Sequence, residues 1–454
     1  MLVFSQLEKK GNLGNQLFQI ASVIGMAKKN KMDFAFSDWK ASQYFEVQLP
    51  KISNKPLIKL REKHFHYHDW EITENQDYDL DGWLQSEQYF DKSITSKYFS
   101  FKKDFKEIVK DKFQELFEKK TIAISIRRGD FVGHPDYFQL PVLYYILALN
   151  EHFPNWRNCN LLLTSDDIAY CKVHFGFLDN VFFAENCNAI EQLCLGSLCD
   201  DFIISNSTFS WWIAYLGEKE NSKVIRPAHY FRGKKAEESS DQDYFPARWL
   251  KFDHSQKKLS FQNSKFNFVI YPGLKYRPED LKLIEELLHQ DFEATVDIQI
   301  ESVKITDYQN INNHSKELSF FIHNAYVLPP MLILESLYKA DSAKVKKVLF
   351  NVQSVELPRN PNFKRLSNAK DIGILEKTNY KSKKLSNCFS IIKTNTGDVN
   401  YSFEIKQFKF VNAHVLRFSH SSNFYFGINE MIFKIKFKLY SLKKKIWKAN
   451  YFSK

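Results

Sequence analysis

The sequence predicts an α/β protein in which parallel sheets are flanked by helices. From about residue 119 onward, short apolar runs alternate with stretches of helical length, and small polar residues follow the runs. This alternation is typical of parallel strands joined by helices. Hydrophobic residues make up 44% of the 454 residues, which is enough for packed cores, and a chain of this length favours more than one domain.

The elements of the first 250 residues can be assigned in order. A short strand at 2–7 leads through a Gly/Asn turn into a helix at 16–28. The later strands are predicted at 121–126, 160–165, 181–184, 202–205 and 223–227, with helices at 140–152, 167–175, 188–199 and 209–217. Because ligands bind at the carboxyl ends of parallel strands, we expect the functional residues at the ends of these strands.

A polar, charged stretch at 251–265 predicts a domain boundary. Beyond it, alternating apolar runs and one helical pattern predict a second α/β or α+β unit without a recognisable chemical motif. The segment 431–454 carries eight lysines and no acidic residue, which leaves +3 of the net charge of +11 for the other 430 residues. A uniformly basic nucleic-acid groove is therefore not expected. The tail fits either an anionic membrane surface or a solvated terminal strand and helix.

Cysteine usage and hydropathy favour a cytoplasmic protein. Six cysteines show neither CxxC pairing nor histidine partners at zinc spacing, so we expect reduced thiols. The first residues lack an apolar segment of signal-peptide length, and no window of 18 apolar residues predicts a membrane span.

The stretch "GNLGNQLFQIA" at 11–21 places two glycines between a strand and a helix. Glycine lets backbone N–H groups approach a ligand at a helix N-terminus, where anions are favoured. Asn15 and Gln16 add amide groups there. The alternative is a structural turn, and the spacing does not match the dinucleotide fingerprint.

The stretch "SIRRGDF" at 125–131 ends a predicted buried strand with two arginines. Since side chains alternate along a strand, only one arginine can face a site, and the other should pair with a carboxylate or pack into the structure. A guanidinium at this edge suits a diphosphate, because its fork binds two oxygens. Asp130 could orient this arginine or accept a proton. An internal Arg–Asp pair pinning a turn at Gly129 is the alternative.

Two further strands end in polar residues. "SNSTFSWW" at 205–212 starts a helix with hydroxyl groups that can cap it and face a phosphate, while Trp211, Trp212 and Tyr215 are predicted to lie in the core. "TSDD" at 164–167 offers two acids, which are weak evidence for magnesium and more typical of a helix cap.

These stretches, in this order, resemble the α-1,2-fucosyltransferases of glycosyltransferase family 11. The matching segments are "GNLGNQLFQIA" (11–21), "DGWLQSEQYF" (81–90), "SIRRGDF" (125–131), "LLTSDD" (162–167), "IISNSTFSWWIAYL" (203–216) and "KVIRPAHYF" (223–231). The resemblance covers about residues 1–235. It implies a GT-B-like two-lobed fold and transfer of fucose from GDP-β-L-fucose to the 2-hydroxyl of a galactoside, with inversion, without an obligatory metal and with no cofactor.

The resemblance also implies roles for particular segments and residues. Residues 1–118 would form the acceptor-side lobe and 119–254 the nucleotide-sugar lobe. Outside the range of the resemblance, we expect 255–430 to form an accessory domain of unknown role and 431–454 a basic amphipathic tail. Arg127 and Asp130 would be catalytic. The donor would be bound by residues of three turns, namely Gly14, Asn15, Gln16, Ser125, Arg127, Ser207, Thr208 and Ser210. Arg128 would hold the turn.

The sequence departs from the family pattern at two places. Ser125 stands where the family usually has a histidine near the guanine, and the acidic position before "SNSTFSWW" is altered or shifted, with Glu191 and then Gln192. Glu87 and His134 are further candidates for the general base.

The sequence is compatible with three functions. They are a GDP-fucose-dependent transferase of surface polysaccharide or O-antigen synthesis, a transferase using another nucleotide sugar, and a non-catalytic sugar- or nucleic-acid-binding protein. The first implies a nucleotide sugar and an oligosaccharide or lipid-linked glycan as partners, and no nucleic acid. The tail is a candidate for peripheral binding to the inner face of the cell membrane.

Overall fold

The computed structural model describes residues 1–259 except 54, 55, 74 and 177, and beyond them seven strands and the helical positions 331, 334 and 335. The chain divides into two compact units. The first comprises Met1–Ile168 and Asn180–Asp253, and the second comprises Ala169–Asp179 and His254–Lys454. The predicted tail at 431–454 lies outside the described residues.

The first unit begins with a four-stranded parallel sheet. Its strands are β1 (Leu2–Phe4), β2 (Phe34–Phe36), β3 (Ile58–Arg61) and β4 (Tyr78–Asp81), in the order β2-β1-β4-β3. The strand order reverses between β1 and β4, so the carboxyl ends of these two strands flank a crevice of the kind that binds ligands in open α/β sheets.

A second parallel sheet follows. Its strands are β5 (Thr121–Ile126), β6 (Asn160–Ser165), β7 (Val181–Phe183), β8 (Asp201–Ile204), β9 (Val224–Pro227) and β10 (Leu250–Phe252), in the order β10-β9-β8-β5-β6-β7. Here the order reverses between β5 and β8. The strand β5 is buried at every position, as its continuous apolar run predicts.

Helices connect most of these strands. They are α1 (Leu13–Lys29), α2 (Lys92–Tyr98), α3 (Lys103–Asp111), α4 (Val142–His152), α5 (Ile168–Phe175), α6 (Ala189–Ser197), α7 (Thr208–Gly217) and α8 (Gly233–Glu238). Short 3₁₀ turns lie at Lys40–Tyr44, Glu87–Tyr89, Gln114–Glu118, Gly129–Phe131 and Trp156–Asn158. From residue 119 to 227, the predicted and observed bounds differ by at most two residues.

The prediction of a GT-B-like α/β fold with parallel sheets and intervening helices is confirmed for residues 2–252, because this range carries two all-parallel sheets. The strands β2 to β4 and β10 and the helices α2 and α3 were not predicted, because their apolar runs are short and interrupted by charges. The roles of the predicted segments 1–118, 119–254 and 255–430 stay predictions.

Helices α1 and α7 pack together through aromatic rings. The ring of Phe18 lies 4.5 Å from that of Trp211 and 5.0 Å from that of Trp212, centroid to centroid. Trp211, Trp212 and Tyr215 are all buried, which confirms that they belong to the core. Truncation of such a buried aromatic typically costs about 3–5 kcal/mol of unfolding free energy, so this contact is a major stabilising element of the first unit.

A capping box fixes the start of α6. The Asn188 side chain accepts hydrogen bonds from the backbone N–H groups of Ile190 and Glu191, and the Glu191 carboxylate accepts one from Asn188 N–H. Glu191 also pairs with Lys112, and hydrogen bonding to that ammonium lowers the pKa of the carboxyl. Glu191, the acidic residue that precedes "SNSTFSWW", therefore has a structural role in this chain.

The second unit contains a mixed sheet of seven strands. They are β11 (Phe266–Tyr271), β12 (Val296–Ile300), β13 (Leu318–His323), β14 (Lys347–Asn351), β15 (Ile372–Glu376), β16 (Cys388–Lys393) and β17 (His414–Arg417), in the order β12-β11-β13-β14-β16-β15-β17. Five of these strands pair in parallel, and β15 runs antiparallel to β16 and β17.

The described side chains of cysteines 159, 171, 187, 194 and 199 are thiols. In the same part of the chain, no helix combines the length and the apolar character that a membrane span requires.

Candidate active site

The candidate site lies where the strand order of the second sheet reverses. In the register of the sheet, Ser125 on β5 is paired with Thr164 on β6 and with Ile204 on β8. The backbone N–H of Ser205 donates to the Ser125 carbonyl at 3.1 Å, which keeps the chains together past the end of β8. The turns that leave β5, β6 and β8 therefore emerge side by side, as the sequence predicts.

Arg127 lies between two carboxylates. Its guanidinium contacts Asp166 at 3.0 Å and also pairs with Asp130. The Arg127 side chain is 23% exposed, so it reaches the surface of the site, and its Nε has no hydrogen-bond partner. The guanidinium carbon lies 5.4 Å from the centre of the Phe131 ring. The arginine is thus oriented by two acids and a ring, and part of its side chain is accessible to solvent.

Arg128 faces inward and holds the turn. Its backbone N–H donates to Asp166 Oδ1 at 2.9 Å, and its side chain, in a residue only 8% exposed, contacts Asp167 at 3.4 Å. The two acids of "TSDD" therefore pair with different arginine side chains, Asp166 with Arg127 and Asp167 with Arg128. The two arginines take the inward and outward positions that strand alternation predicts.

Gly129 is required by the position of Asp166. The glycine has φ +21°, and a Cβ atom added to it would lie 2.0 Å from Asp166 Oδ2. Burial raises the pKa of Asp166, while Arg127 and the backbone N–H of Arg128 act in the opposite direction. The arginine turn thus favours the charged form of the carboxyl group that orients it, against the effect of burial.

The Gly-rich turn packs directly on the start of α7. A Cβ atom on Gly14 would lie 2.6 Å from Phe209 N and 2.7 Å from Thr208 Oγ1. Ser207 caps α7, because its hydroxyl oxygen accepts a hydrogen bond from Phe209 N–H at 3.2 Å. The N-termini of α1 and α7 therefore adjoin, and both bring partial positive charge to the same place.

The two amides after Gly14 are used differently. Asn15 Oδ1 accepts a hydrogen bond from Gln85 Nε2 at 2.7 Å. Gln16 donates to the Gly11 carbonyl at 3.2 Å and accepts from the indole of Trp39 at 2.9 Å. The predicted Gln16 thus stabilises the turn from within.

Besides Ser207, which is 7% exposed, two further predicted donor-binding serines are buried in the structure. Ser125 is 3% exposed and accepts a hydrogen bond from Thr164 Oγ1 at 2.8 Å. Ser210 is 2% exposed and shares a hydrogen bond with Ser205 at 2.7 Å. Both side chains bond within the protein, and their predicted contact with the donor stays a prediction.

The three candidate bases lie in different surroundings. Asp130 is 48% exposed and pairs with Arg127. Glu87 binds the Arg248 guanidinium through both carboxylate oxygens, at 2.7 and 2.9 Å, and His134 Nδ1 accepts a hydrogen bond from Asp136 N–H at 3.0 Å. Of the three, Asp130 is the one that contacts Arg127.

Gln85 is a site residue that the sequence analysis did not single out. It is 3% exposed, donates to Asn15, and accepts a hydrogen bond from the Tyr230 hydroxyl at 3.4 Å. The glutamine lies within the matched segment 81–90, where an amide among apolar residues at a strand end could have indicated a buried hydrogen bond. Among the residues that the structure describes, no group of three or more His, Cys, Asp or Glu side chains could hold a metal ion.

Comparison with known proteins identifies relatives of the first unit. The model of the family described as "Glycosyl transferase family 11" matches residues 4–252. An α-1,2-colitosyltransferase of Escherichia coli is 30% identical over 141 residues, which are 29% of this chain and 48% of that protein. A galactoside 2-α-L-fucosyltransferase of Caenorhabditis elegans is 25% identical over 287 residues, 54% of this chain and 78% of that protein.

An O-antigen biosynthesis glycosyltransferase of Escherichia coli, WbnK, is 31% identical over 25% of this chain and 40% of that protein. The chain thus spans about half or less of the length of the two Escherichia coli relatives. Among solved structures, the fucosyltransferase NodZ from Bradyrhizobium matches with a TM-score of 0.34 and 13% identity, over 47% of this chain and 92% of that one.

Proposed function

The chain belongs to glycosyl transferase family 11, and we propose that it moves L-fucose, with inversion, from GDP-β-L-fucose to the 2-hydroxyl of a galactoside. The name of the Caenorhabditis elegans relative supports this donor sugar and linkage. The name of WbnK supports a place in O-antigen or other surface polysaccharide synthesis. The partners in this proposal are a nucleotide sugar and an oligosaccharide or lipid-linked glycan.

The observation that carries the proposal is that Arg127 follows β5, while α7 follows the neighbouring strand β8 and its start adjoins the start of α1. Transfer breaks the bond between the sugar and the diphosphate, so negative charge grows on the departing phosphate. A guanidinium and the N–H groups at the starts of α1 and α7 can stabilise that charge in a site with little water. In this proposal they supply the positive charge without a metal ion, and chelation with EDTA should leave the rate unchanged.

The two acids on Arg127 have separate roles in the proposed mechanism. A diphosphate that binds Arg127 must replace one carboxylate, and Asp130 is the more exposed of the two, at 48% against 27% for Asp166. Asp166 is also held by the backbone N–H of Arg128, so it stays in place. Donor binding therefore releases Asp130, which can then accept the proton of the attacking hydroxyl.

The proposal is tested by Arg127→Ala in a transfer assay with GDP-fucose and lactose. Loss of one such electrostatic contact typically costs about 10²–10³-fold in rate. Arg157→Ala is a matched control, because this guanidinium lies 4.3 Å from the Trp156 ring, near the amino end of β6 and away from the candidate site. Equal activity of Arg127→Ala and the control, with both proteins folded, would refute the assignment.

A second candidate is transfer from another nucleotide sugar. The relative named α-1,2-colitosyltransferase favours it, and so does Ser125, whose buried hydroxyl bonds to Thr164. Donor hydrolysis measured over a panel of GDP- and UDP-sugars separates the two candidates. Hydrolysis of none of them would favour the non-catalytic sugar- or nucleic-acid-binding protein.

We propose that the enzyme acts in the cytoplasm and binds the inner face of the membrane peripherally through 431–454. The eight lysines of this segment support attraction to anionic lipid, worth about 1 kcal/mol each near the surface. Co-sedimentation with anionic liposomes, compared between the full chain and a chain ending at residue 430, tests this. Equal sedimentation of both would contradict it.

A further inference from the structure

Trp83 is unusual among the described tryptophans because it is exposed. The exposed fraction of Trp83 is 40%, whereas Trp39, Trp156, Trp211, Trp212 and Trp249 are buried. An exposed indole offers a large flat apolar face to water, and tryptophan is enriched where proteins recognise ligands or partners.

The turn that carries Trp83 is built to hold it. Glu62 accepts hydrogen bonds from the backbone N–H groups of Trp83 and Leu84, at 2.7 and 2.8 Å. Leu84 is fully buried and has φ +56°, a left-handed conformation that costs a leucine about 1–2 kcal/mol. Such strain persists only where the surroundings maintain it, and it is concentrated at functional sites.

Burial of Glu62 disfavours the charged form of its carboxyl group. Burial raises the pKa of this carboxyl, and the two backbone N–H donors and Lys10 oppose the rise. A partly buried acid and a strained leucine thus both serve to keep the backbone of Trp83 in one orientation, with its indole exposed.

Trp83 lies beside the proposed donor site. It follows β4, at the point where the strand order of the first sheet reverses. The Lys10 ammonium, paired with Asp81 at 2.7 Å, lies 5.2 Å from the indole centroid. Two residues after Trp83, Gln85 donates to Asn15, which is adjacent to Gly14 and thus to the start of α7.

We propose that Trp83 is the acceptor platform, the surface on which the apolar face of the acceptor sugar ring stacks. A pyranose has one face of C–H groups that fits an indole, and hydroxyls at its edge that Lys10 and Asp81 can bind. The inference rests on the proposed function and adds to it the subsite that orients the 2-hydroxyl toward the donor.

The test compares Trp83→Ala and Trp83→Phe with the wild-type full chain in steady-state kinetics. Burial of the indole against a sugar predicts a fall of about 10–30-fold in kcat/KM for lactose on Trp83→Ala, with partial recovery in Trp83→Phe. Acceptor-independent hydrolysis of GDP-fucose should change less than about twofold, since the groups proposed to act on the donor are Arg127 and the starts of α1 and α7. Ile108→Ala is the control, because Ile108 is 56% exposed on α3.

Unchanged kcat/KM for lactose, or an equal loss in donor hydrolysis, would overturn the proposal. A direct binding measurement separates its failure from failure of the proposed function. The indole N–H resonance of Trp83, assigned by its absence in Trp83→Phe, should shift on addition of methyl β-D-galactoside even if no nucleotide sugar is hydrolysed. Absence of a shift at saturating galactoside refutes the platform, whatever the donor is.

Discussion

The contact between Gly129 and Asp166 permits a sharp test of how the arginine turn works. In Gly129→Ala, the new Cβ would lie 2.0 Å from Asp166 Oδ2, so the carboxylate must move. It would then lose its contacts with Arg127 at 3.0 Å and with Arg128 N–H at 2.9 Å. The substitution therefore affects the orientation of Arg127 without changing any charged residue.

The expected magnitude has two parts. Alanine at the positive φ of Gly129 costs about 1 kcal/mol of unfolding free energy. Displacement of the carboxylate adds about 1–2 kcal/mol, a value reduced because Asp166 is partly exposed and solvent screens its ion pair. The total is about 2–3 kcal/mol, accompanied by a loss of transfer rate of about tenfold or more as Arg127 loses its orientation.

The same loop provides a matched control for this prediction. Gly133 has φ +69°, and a Cβ atom there meets nothing within 4 Å. Gly133→Ala therefore measures backbone strain alone, and its difference from Gly129→Ala isolates the displacement of Asp166. Urea denaturation gives the free energies, and the GDP-fucose transfer assay gives the rates. Equal stability and equal rates of the two variants would refute the proposed role of Asp166.

Three other outcomes follow from the same contacts. The pKa of Asp166 is raised on folding from its ordinary value of 3.8, so protonation of this carboxyl group favours the folded state. The unfolding free energy of the wild type, measured relative to that of Asp166→Asn, should therefore fall as the pH rises from below 3.8 through the raised pKa. A difference that does not change with pH would contradict this. Gly14→Ala should cost about 1–3 kcal/mol and weaken donor binding, because the new Cβ meets the backbone of α7 at 2.6 Å, and calorimetric titration with GDP measures this. Gln85→Ala should leave Asn15 without its partner, lowering kcat/KM by about tenfold, whereas Gln85→Glu should retain part of the activity by accepting from Tyr230.

Local patterns predicted the frame of the first unit well. The strand β5 and its neighbours were predicted from short apolar runs that are rich in branched residues and bounded by polar turns. Such runs are typical of strands that are buried on both faces of a sheet. Strands such as Ile58–Arg61 were not predicted, because this strand lies at the edge of its sheet, is mostly exposed and contains few apolar residues. Their place in the sheet is decided by pairing with β4, which is not a local property.

The candidate site was predicted only in part. The sequence indicated that Arg127 and Arg128 would divide their roles and that the starts of two helices would face one ligand. It did not indicate that the side chains of Arg127 and Arg128 would pair with Asp166 and Asp167, because the partners are nearly forty residues apart along the chain. Nor did it indicate that Gln16 would bond to Trp39 inside the protein.

By itself, the sequence determined the strands and helices between residues 119 and 227 and the polar residues that end those strands, because periodicity, turn chemistry and helix caps act over a few residues. Only the tertiary structure decided which of those residues face solvent, since that depends on strand order and on backbone contacts between distant segments. A side chain on Gly14 would clash with the start of α7, and one on Gly129 would clash with Asp166. The backbone of Trp83 is held by Glu62, a partly buried glutamate that follows β3, and this contact is not contained in any local pattern.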